Sequence, residues 1–320
     1  MRRREFITLL AAASCSSSTA LAQVKTNRIG YVHTLGTSLP LSVSLLRPVW
    51  QQLGYVEGET IFLRGAEGDP SRLPGLVQEL LDLQVRVLIV VGPAALRVAQ
   101  GATSTTPIVA MDLETDPIRS GYARAFGRPG GNVTGLFLDQ PLIAGKWLEI
   151  LKEVLPSIER VALIWDPNSG TDQLRAAQDA ARAIGVSTIV LEVRRTDGYD
   201  LAFESLNGHE GTGVVQLGTP VLTAPAAALG AAAAKYRLPT ISFYTPHVRA
   251  GALIGYGPDL QTYFPRAAVM ADKIVKGASP ADLPIEQPTK FELVVNLKTA
   301  RSLGIIIPPI LHARADEVIE

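Results

Sequence analysis

The sequence predicts an α/β protein built from two lobes, each a doubly wound parallel sheet with helices on both faces. Short runs rich in β-branched residues alternate with helical stretches from residue 29 to residue 276, which is typical of parallel sheets with right-handed crossovers. The run at 85–91 is apolar apart from Arg86, as expected for a central strand covered on both faces. The alternation restarts near residue 133, so two similar lobes are favoured over one oversized sheet.

The first run contains four strands and three helices. Its strands are predicted at Ile29–His33, 61–64, 85–91 and Ile108–Met111, and its helices at 39–53, 73–83 and 94–101. Gly54 ends the first helix, because glycine readily adopts the left-handed conformation that follows a helix. Leu73, Val77 and Leu80 recur at helical spacing in the second helix.

The second run contains six strands and five helices. Its strands are predicted at 133–138, 161–165, 188–193, 214–217, 241–243 and 252–256, and its helices at 142–155, 172–184, 200–206, 226–236 and 260–276. Three prolines make the segment 276–290 an extended connector rather than a helix. The strand that follows, Phe291–Asn296, must dock away from the preceding helix, which predicts a third crossing between the lobes.

The first 23 residues have the order of a bacterial secretory signal. Arg2 to Arg4 precede an apolar stretch at 6–13, and Ala20-Leu21-Ala22 is a small-x-small cleavage signal, so we expect a periplasmic protein. Arg3-Arg4 also fits the twin-arginine pattern, and the choice between the two export routes stays open. Cys15, the only cysteine, lies in a loose lipoprotein box, and lipid anchoring there is an alternative.

Composition and missing motifs exclude several classes of function. Lysines and arginines balance aspartates and glutamates at 30 each, and without a basic stripe nucleic acid is not an expected partner. The chain has no phosphate-binding glycine loop and no nucleophile elbow, and its four histidines are scattered. We therefore predict no catalytic residues, no metal and no cofactor. His33 is interpreted as a polar residue at a strand end.

A ligand site is expected where the loops that follow the strands converge, because open parallel sheets bind ligands beyond the carboxyl ends of their strands. The candidate ligand-binding residues are Thr34, Gly36, Thr37, Ser38, Gly92, Pro93, Ala94, Asp116, Asp166, Asn168, Gly218, Thr219, Tyr244 and Tyr256. The loop after the fourth strand also contains Asp112 and Glu114. The Gly92-Pro93 turn opens a helix, whose free N–H groups suit a carboxylate.

Three of these candidates keep two interpretations each. Asp166 either caps the segment before Pro167 through an Asx turn or reaches a ligand ammonium group. Tyr244 and Tyr256 either stack on a ligand or seal a hinge.

Several motifs along the chain resemble those of one family. They are RRREFITLL at 2–10, LGYVEG at 53–58, AEGDPSRLP at 66–74, RPGGNVTG at 128–135, GKWLEILKEVLP at 145–156, ADLPIEQPTKFELVVNLKTARSLGI at 281–305 and ARADEVIE at 313–320. With them the chain resembles the bacterial ABC-transporter substrate-binding proteins that include tryptophan- and phenylalanine-binding members. It departs from the family pattern at MDLETD, residues 111–116, and at Trp165-Asp166.

The resemblance implies two type-I periplasmic-binding lobes joined by three crossovers. The first lobe would comprise 24–137 and 257–285, and the second 138–256 and 286–320. It implies a monomer that captures a small solute, an amino acid or an aromatic or organic acid, and delivers it to an ABC permease in the inner membrane. Two alternatives remain: a secreted enzyme that uses the same cleft, with Asp116 and Asp166 as paired carboxylates, and a sensor for a membrane receptor.

Overall fold

The structure, a computed structural model, describes residues 27–36, 41–208, 211–220 and 226–320. The predicted leader, the predicted lipid-anchor residue Cys15, and the candidate residues Thr37 and Ser38 lie outside these ranges. Within them the chain forms two sheets, one of five strands and one of seven, with helices packed on both faces of each. We call each sheet with its helices a lobe.

The first sheet is entirely parallel. Its strands are β1 (Ile29–His33), β2 (Ile61–Gly65), β3 (Val87–Val91), β4 (Ile108–Met111) and β5 (Val133–Leu136), in the spatial order β2-β1-β3-β4-β5. All five residues of β3 are buried. This burial explains their apolar sequence, because a central parallel strand meets helices on both sides.

The second sheet repeats this order and adds two strands at its edge. Its strands are β6 (Arg160–Trp165), β7 (Ser187–Glu192), β8 (Thr212–Gln216), β9 (Thr240–Ser242), β10 (Ile254–Pro258), β11 (Phe291–Asn296) and β12 (Glu317–Ile319). They are ordered β12-β11-β10-β9-β8-β6-β7. The segment β7-β6-β8-β9-β10 has the connectivity of the first sheet, so the two lobes are topological copies of one another.

The helices follow the predicted alternation. They are α1 (Leu41–Gln52), α2 (Leu73–Asp82), α3 (Pro93–Ala102), α4 (Gln140–Val154), α5 (Asp172–Ala183), α6 (Tyr199–Glu204), α7 (Ala226–Lys235), α8 (Pro246–Arg249), α9 (Leu260–Tyr263), α10 (Pro265–Val275), α11 (Leu297–Leu303) and α12 (Pro309–Arg314). No helix in the described ranges combines the length and apolar character needed to cross a bilayer.

The chain passes between the lobes three times. It leaves the first sheet after β5, returns after β10 so that α10 packs on β3, β4 and β5, and crosses again before β11. The three crossing segments meet at Tyr263, whose hydroxyl donates to the backbone oxygens of Phe137 (3.0 Å) and Glu286 (2.6 Å). The predicted fold class, two doubly wound lobes joined by three crossovers, is confirmed.

Three local predictions were wrong, and one strand was missed. The strand expected to open the second run is β5, which completes the first sheet by pairing with β4. The sheets are not wholly parallel, because β10 and β11 run antiparallel. The predicted helix 260–276 is divided at Phe264 into α9 and α10, since Pro265 begins a new helix. The short strand β12 was not predicted.

Candidate functional site

The carboxyl ends of the strands in the two sheets face each other across a cleft. In each lobe the strand order reverses beside the first strand of the repeat, between β1 and β3 in one lobe and between β6 and β8 in the other. Ligands of open α/β sheets bind at such switch points. His33 ends β1 level with Val91 at the end of β3, and this register places the loops that follow both strands at the same edge.

A small cavity of about 40 Å³ lies between the two lobes and is partly open to solvent, since its lining residue Leu41 is 42% exposed. Most of its lining comes from the strand ends and following loops of both lobes and from the helices beside them: His33, Leu35, Leu41, Ser42, Val91, Met111, Leu113, Glu114, Pro220, Tyr244, Leu260 and Phe264. The volume suits a water molecule, whereas a cavity that binds benzene has a volume of about 150 Å³. This small volume, together with direct hydrogen bonds between the lobes, indicates that the cleft is closed.

Larger hollows lie elsewhere in the described structure; one of them, of about 450 Å³, lies within the second lobe at the end of the edge strand β7 and receives no residue of the first lobe. Another, of about 400 Å³, opens between α11 and α12 at the surface. A third, of about 390 Å³, is lined in part by Thr212 and Pro239, which stand at the amino ends of β8 and β9. The latter two are open to solvent and lie away from the carboxyl ends of the strands.

Several contacts hold the cleft closed. The Arg97 guanidinium on α3 donates to the backbone oxygen of Asn168 in the second lobe at 3.2 Å. At the rim, Asp172 at the start of α5 accepts the backbone N–H of Asp116 at 3.1 Å. Glycine at position 92 leaves room for Pro220, since a Cβ there would lie 2.6 Å from the proline Cγ.

Two glutamine side chains link the loops of both lobes around one carbonyl. The backbone oxygen of Leu113 accepts Nε2 of Gln140 at 2.8 Å and Nε2 of Gln173 at 3.5 Å. Gln173 also accepts the backbone N–H of Gly218 through its Oε1. The loop after β4 is thereby fixed against the loop after β8, and both glutamines are buried.

Three carboxyl groups are buried beside the cavity. Asp112 is 0% exposed, Glu114 3% and Asp166 2%. Burial raises the pKa of Asp112 to about 6, and burial together with the neighbouring Asp112 charge raises the pKa of Glu114 well above its usual range. Burial also raises the pKa of Asp166. Near neutral pH the Asp112–Glu114 pair therefore retains a proton.

His33 and Tyr244 contribute polar rings to the lining. Burial lowers the pKa of His33 to about 3, so its ring is neutral. Its Nδ1 accepts the backbone N–H of Leu35 at 2.8 Å, which leaves the ring proton on Nε2. The Tyr244 hydroxyl donates to the backbone oxygen of Thr219 at 3.0 Å and accepts its N–H at 3.1 Å. These bonds fix the Tyr244 ring within the second lobe.

The structure places the other candidate residues of the first lobe along the rim. Thr34 is buried after β1, and the Glu67 carboxylate lies against Gly36. Gly92 has a positive φ of 83° and precedes Pro93, the first residue of α3, with Ala94 next to it. The carboxylate of Asp116 accepts the N–H groups of the next turn.

In the second lobe the candidate residues divide into two groups. Asp166 caps the turn after β6 by accepting the N–H of Asn168 at 3.0 Å, and it also accepts the Thr219 hydroxyl at 3.0 Å. This is the Asx-turn interpretation of Asp166. Tyr256 lies away from the cavity, since its ring stacks on Phe291 at 5.7 Å between ring centres.

Four residues beside the cleft are not among the candidates predicted from the sequence. Glu114 and His33 line the cavity, and Gln140 and Gln173 tie the loops around it. Glu114 and His33 lie at or just after the ends of predicted strands, and this position could have identified them as site residues. The glutamines gave no signal, because each lies in the first turn of a helix and acts through a contact across the cleft.

The chemistry of this arrangement is that of a closed binding cleft. In the part of the chain that the structure describes, no group of three or more histidine, cysteine, aspartate or glutamate side chains is placed to hold a metal ion. The polar groups around the cavity are anchored to backbone and arranged between two lobes. A family model for ABC transporter substrate binding proteins matches residues 37–319. The chain belongs to the ABC transporter substrate-binding protein family.

Individual proteins of known name or structure are similar to this chain. The tyrosine-binding protein of Clostridioides difficile (strain R20291) is 22% identical over 257 residues, which are 79% of this chain and 73% of that protein. A conserved domain protein from Vibrio cholerae has a TM-score of 0.81 at 21% identity, covering 92% of this chain and 99% of that one. An ABC domain from Streptococcus pneumonia in complex with L-Trp has a TM-score of 0.80 at 21% identity, covering 91% and 99%. The resemblance stated from the sequence motifs is confirmed, and this family is one of binding proteins rather than enzymes.

Proposed function

We propose that this protein captures a small organic solute, an amino acid or an aromatic or organic acid, outside the cytoplasm and delivers it to the permease of an ABC importer. The observation that carries the proposal is the cavity between the strand ends of both lobes. One similar protein is named as a tyrosine-binding protein and another was solved with L-Trp, and both favour an aromatic amino acid as the solute. The predicted leader at residues 1–23 supports a periplasmic location.

Capture requires the lobes to separate and close again. A cavity of about 40 Å³ is too small for an amino acid, since it is much smaller than the cavity of about 150 Å³ that binds benzene. The cleft therefore opens, admits the solute and closes around it with a wider cavity. The three crossing segments that meet at Tyr263 form the hinge, and hinge closure is an established motion of two-lobed proteins. The solute shifts the equilibrium only as far as it binds the closed form more tightly.

A thermal-shift screen against the twenty amino acids and a set of aromatic acids tests this proposal. A solute present at a hundred times its dissociation constant stabilises the fold by about 2.7 kcal/mol. Hits are measured by calorimetry, and the solute recovered afterwards is expected unchanged. Conversion to a product would favour the secreted enzyme instead, and a set without any binder would overturn the proposed solute class.

A matched pair of variants locates the binding site. Leu41 lies at the start of α1 in the first lobe, is 42% exposed and lines the cavity. Leu201 lies on α6 in the second lobe, is 73% exposed and does not line the cavity. We expect Leu41→Trp to abolish binding because the indole fills the cleft, and Leu201→Trp to bind normally. Equal binding by both variants would place the solute elsewhere. Uptake of the labelled solute by cells with and without the gene tests delivery to the permease.

A further inference from the structure

Asp112 and Glu114 form a buried carboxyl pair beside the cavity. The Oδ1 atom of Asp112 accepts the backbone N–H groups of Glu114 at 3.1 Å and Thr115 at 3.0 Å. Its Oδ2 atom is buried and has no hydrogen-bond partner among the described residues. Glu114 lines the cavity, and its Oε2 atom accepts the backbone N–H of Leu113 at 3.1 Å. Its other oxygen is available to a ligand.

No cation neutralises this pair. Among the described residues, neither Asp112 nor Glu114 forms an ion pair with a lysine, arginine or histidine. The titratable groups around them are Asp166 and Tyr244 across the cleft, Tyr122 from the first lobe, and the neutral His33 in the cavity lining. Arg97, the basic residue near Tyr122, is directed to the Asn168 carbonyl. Among the three buried carboxyl groups, Arg194 acts on Asp166 alone. The cleft thus concentrates negative charge, and no basic residue pairs with Asp112 or Glu114 among the described residues.

The Asp112–Glu114 pair holds a proton and contacts no cation. Ionising both carboxyl groups of a buried pair is energetically unfavourable. Burial and mutual repulsion therefore raise the pKa of both groups. When Glu114 holds the proton, its O–H can donate to the Asp112 carboxylate, and this contact contributes to the raised pKa of Glu114. The pair with one proton carries a single negative charge, and Asp166 adds to the field across the cleft.

We infer that the cleft selects solutes with a protonated amine, whose N–H groups replace the proton shared by Asp112 and Glu114. The inference rests on the proposed function and narrows its solute class from small organic solutes to cationic or zwitterionic amines. The proton balance is simple: the ammonium group enters with its three protons, the pair becomes doubly ionised, and one proton leaves to solvent. Buried charges are stable only when paired in this way.

Calorimetry in two buffers tests the inference. L-Tyrosine and L-tryptophan are titrated at pH 6.5 in phosphate and in bis-Tris, alongside 3-(4-hydroxyphenyl)propionate and 3-indolepropionate, which lack the amine. The difference in measured enthalpy between the buffers gives the protons released. We expect the release of up to about one proton for each amino acid that binds and no proton release when the deaminated acids bind. We also expect the deaminated acids to bind at least about tenfold more weakly, as for loss of a hydrogen bond to a charged group.

Glu114→Gln provides the second arm, with Glu204→Gln, an exposed residue of α6, as the matched control. Glu114→Gln is expected to weaken amino-acid binding at least about tenfold and to abolish proton release, while the control behaves as wild type. The wild-type buffer comparison needs no variant and stands if Glu114→Gln fails to fold. Deaminated acids that bind as tightly as the amino acids would overturn the inference and leave the proposed function intact. If neither amino acids nor acids bind, the proposed solute class fails and the inference fails with it.

Discussion

Asp172 in the second lobe accepts the backbone N–H of Asp116 in the first lobe, with 3.1 Å between the carboxylate Oδ2 and the amide nitrogen. The Ser120 hydroxyl donates to the same oxygen at 3.3 Å. These bonds join the two rims of the cleft directly, and they exist only when the lobes are closed. Asp172 therefore contributes to the closing equilibrium without touching the cavity.

Asp172→Ala is expected to weaken solute binding about three- to tenfold, because hydrogen bonds of about 0.5–1.5 kcal/mol stabilise only the closed form. The free energy of unfolding should change little, since both hydrogen bonds lie between the lobes and the one ion pair lost within α5, with the partly exposed Arg175, contributes little. Calorimetry measures the affinity, and small-angle scattering measures the fraction of open molecules. Asp179→Ala on the exposed face of the same helix is the control. An unchanged affinity for Asp172→Ala would show that the rim bonds do not bias closure.

Gly92→Ala is expected to hinder closure, because the new Cβ would lie 2.6 Å from Cγ of Pro220 in the opposite lobe. Gly92 also has a φ of 83°, where an L side chain is strained. Gly121→Ala separates the two effects, since Gly121 has a φ of 75° and nothing within 4 Å of the added Cβ. We expect both variants to lose about 1 kcal/mol of stability, but only Gly92→Ala to lose affinity.

A second-site change checks this explanation. Adding Pro220→Ala to Gly92→Ala removes the clash across the cleft and leaves the backbone strain in place. Calorimetry of the double variant is expected to show recovery of much of the lost affinity with no recovery of stability. If affinity stays low in the double variant, the distorted turn before α3 is responsible and the contact with Pro220 is not.

The fold could largely be predicted because its determinants are local. Buried parallel strands such as β3 are apolar throughout, and the intervening helices repeat their apolar residues at helical spacing. Strand direction is not local: nothing in the residues of β11 distinguishes an antiparallel neighbour from a parallel one. The strand β12 has only three half-buried residues, too few to produce an alternating pattern.

The site could be predicted only in outline. The rule on strand ends identifies the loop after β4, but the burial of Glu114 depends on Gly218 in the other lobe, where a Cβ would lie 3.4 Å from the Glu114 Oε1 atom. Contacts between lobes join residues far apart in the chain, and a sequence pattern does not show them. Tyr256 shows the same limit: its place near a predicted strand end does not reveal that its ring stacks on Phe291, which lies 35 residues further along the chain.

The Asp112–Glu114 pair also predicts a pH dependence of stability. The folded state holds protons that the unfolded chain releases above its ordinary pKa values of 3.8 and 4.5, because burial raises both folded pKa values. The contribution to stability is complete below those ordinary values and is lost as pH rises through the folded ones, which for Asp112 is about 6. Glu114→Gln removes most of this loss.

Urea unfolding of the ligand-free protein between pH 4 and pH 8 measures the effect. Other groups titrate in both proteins, so the informative quantity is the free energy of unfolding of Glu114→Gln minus that of wild type. We expect this difference to increase with pH, because only in the wild type does the unfolded chain release a proton that the folded Glu114 retains. A difference that is constant over the range would mean that Glu114 titrates alike in the folded and unfolded states.

Tyr263 is expected to stabilise the hinge through its hydroxyl. The O–H is shared between the backbone oxygens of Phe137 and Glu286, which lie on the other two crossing segments. Tyr263→Phe leaves both buried oxygens without this donor, so the free energy of unfolding should fall by about 1–3 kcal/mol. Tyr122→Phe is the control, since the structure records no hydrogen bond of the Tyr122 hydroxyl to another described residue.

Hydrogen exchange at the hinge distinguishes a local effect from a general loss of stability. The amide of Phe137 donates to the Glu286 carbonyl, and the amide of Glu286 donates to the Gly135 carbonyl. In Tyr263→Phe these two amides should exchange faster than the fall in global stability accounts for, because the crossing segments open locally. If every protected amide accelerates by the same factor, Tyr263 stabilises the whole fold and has no particular role in the hinge.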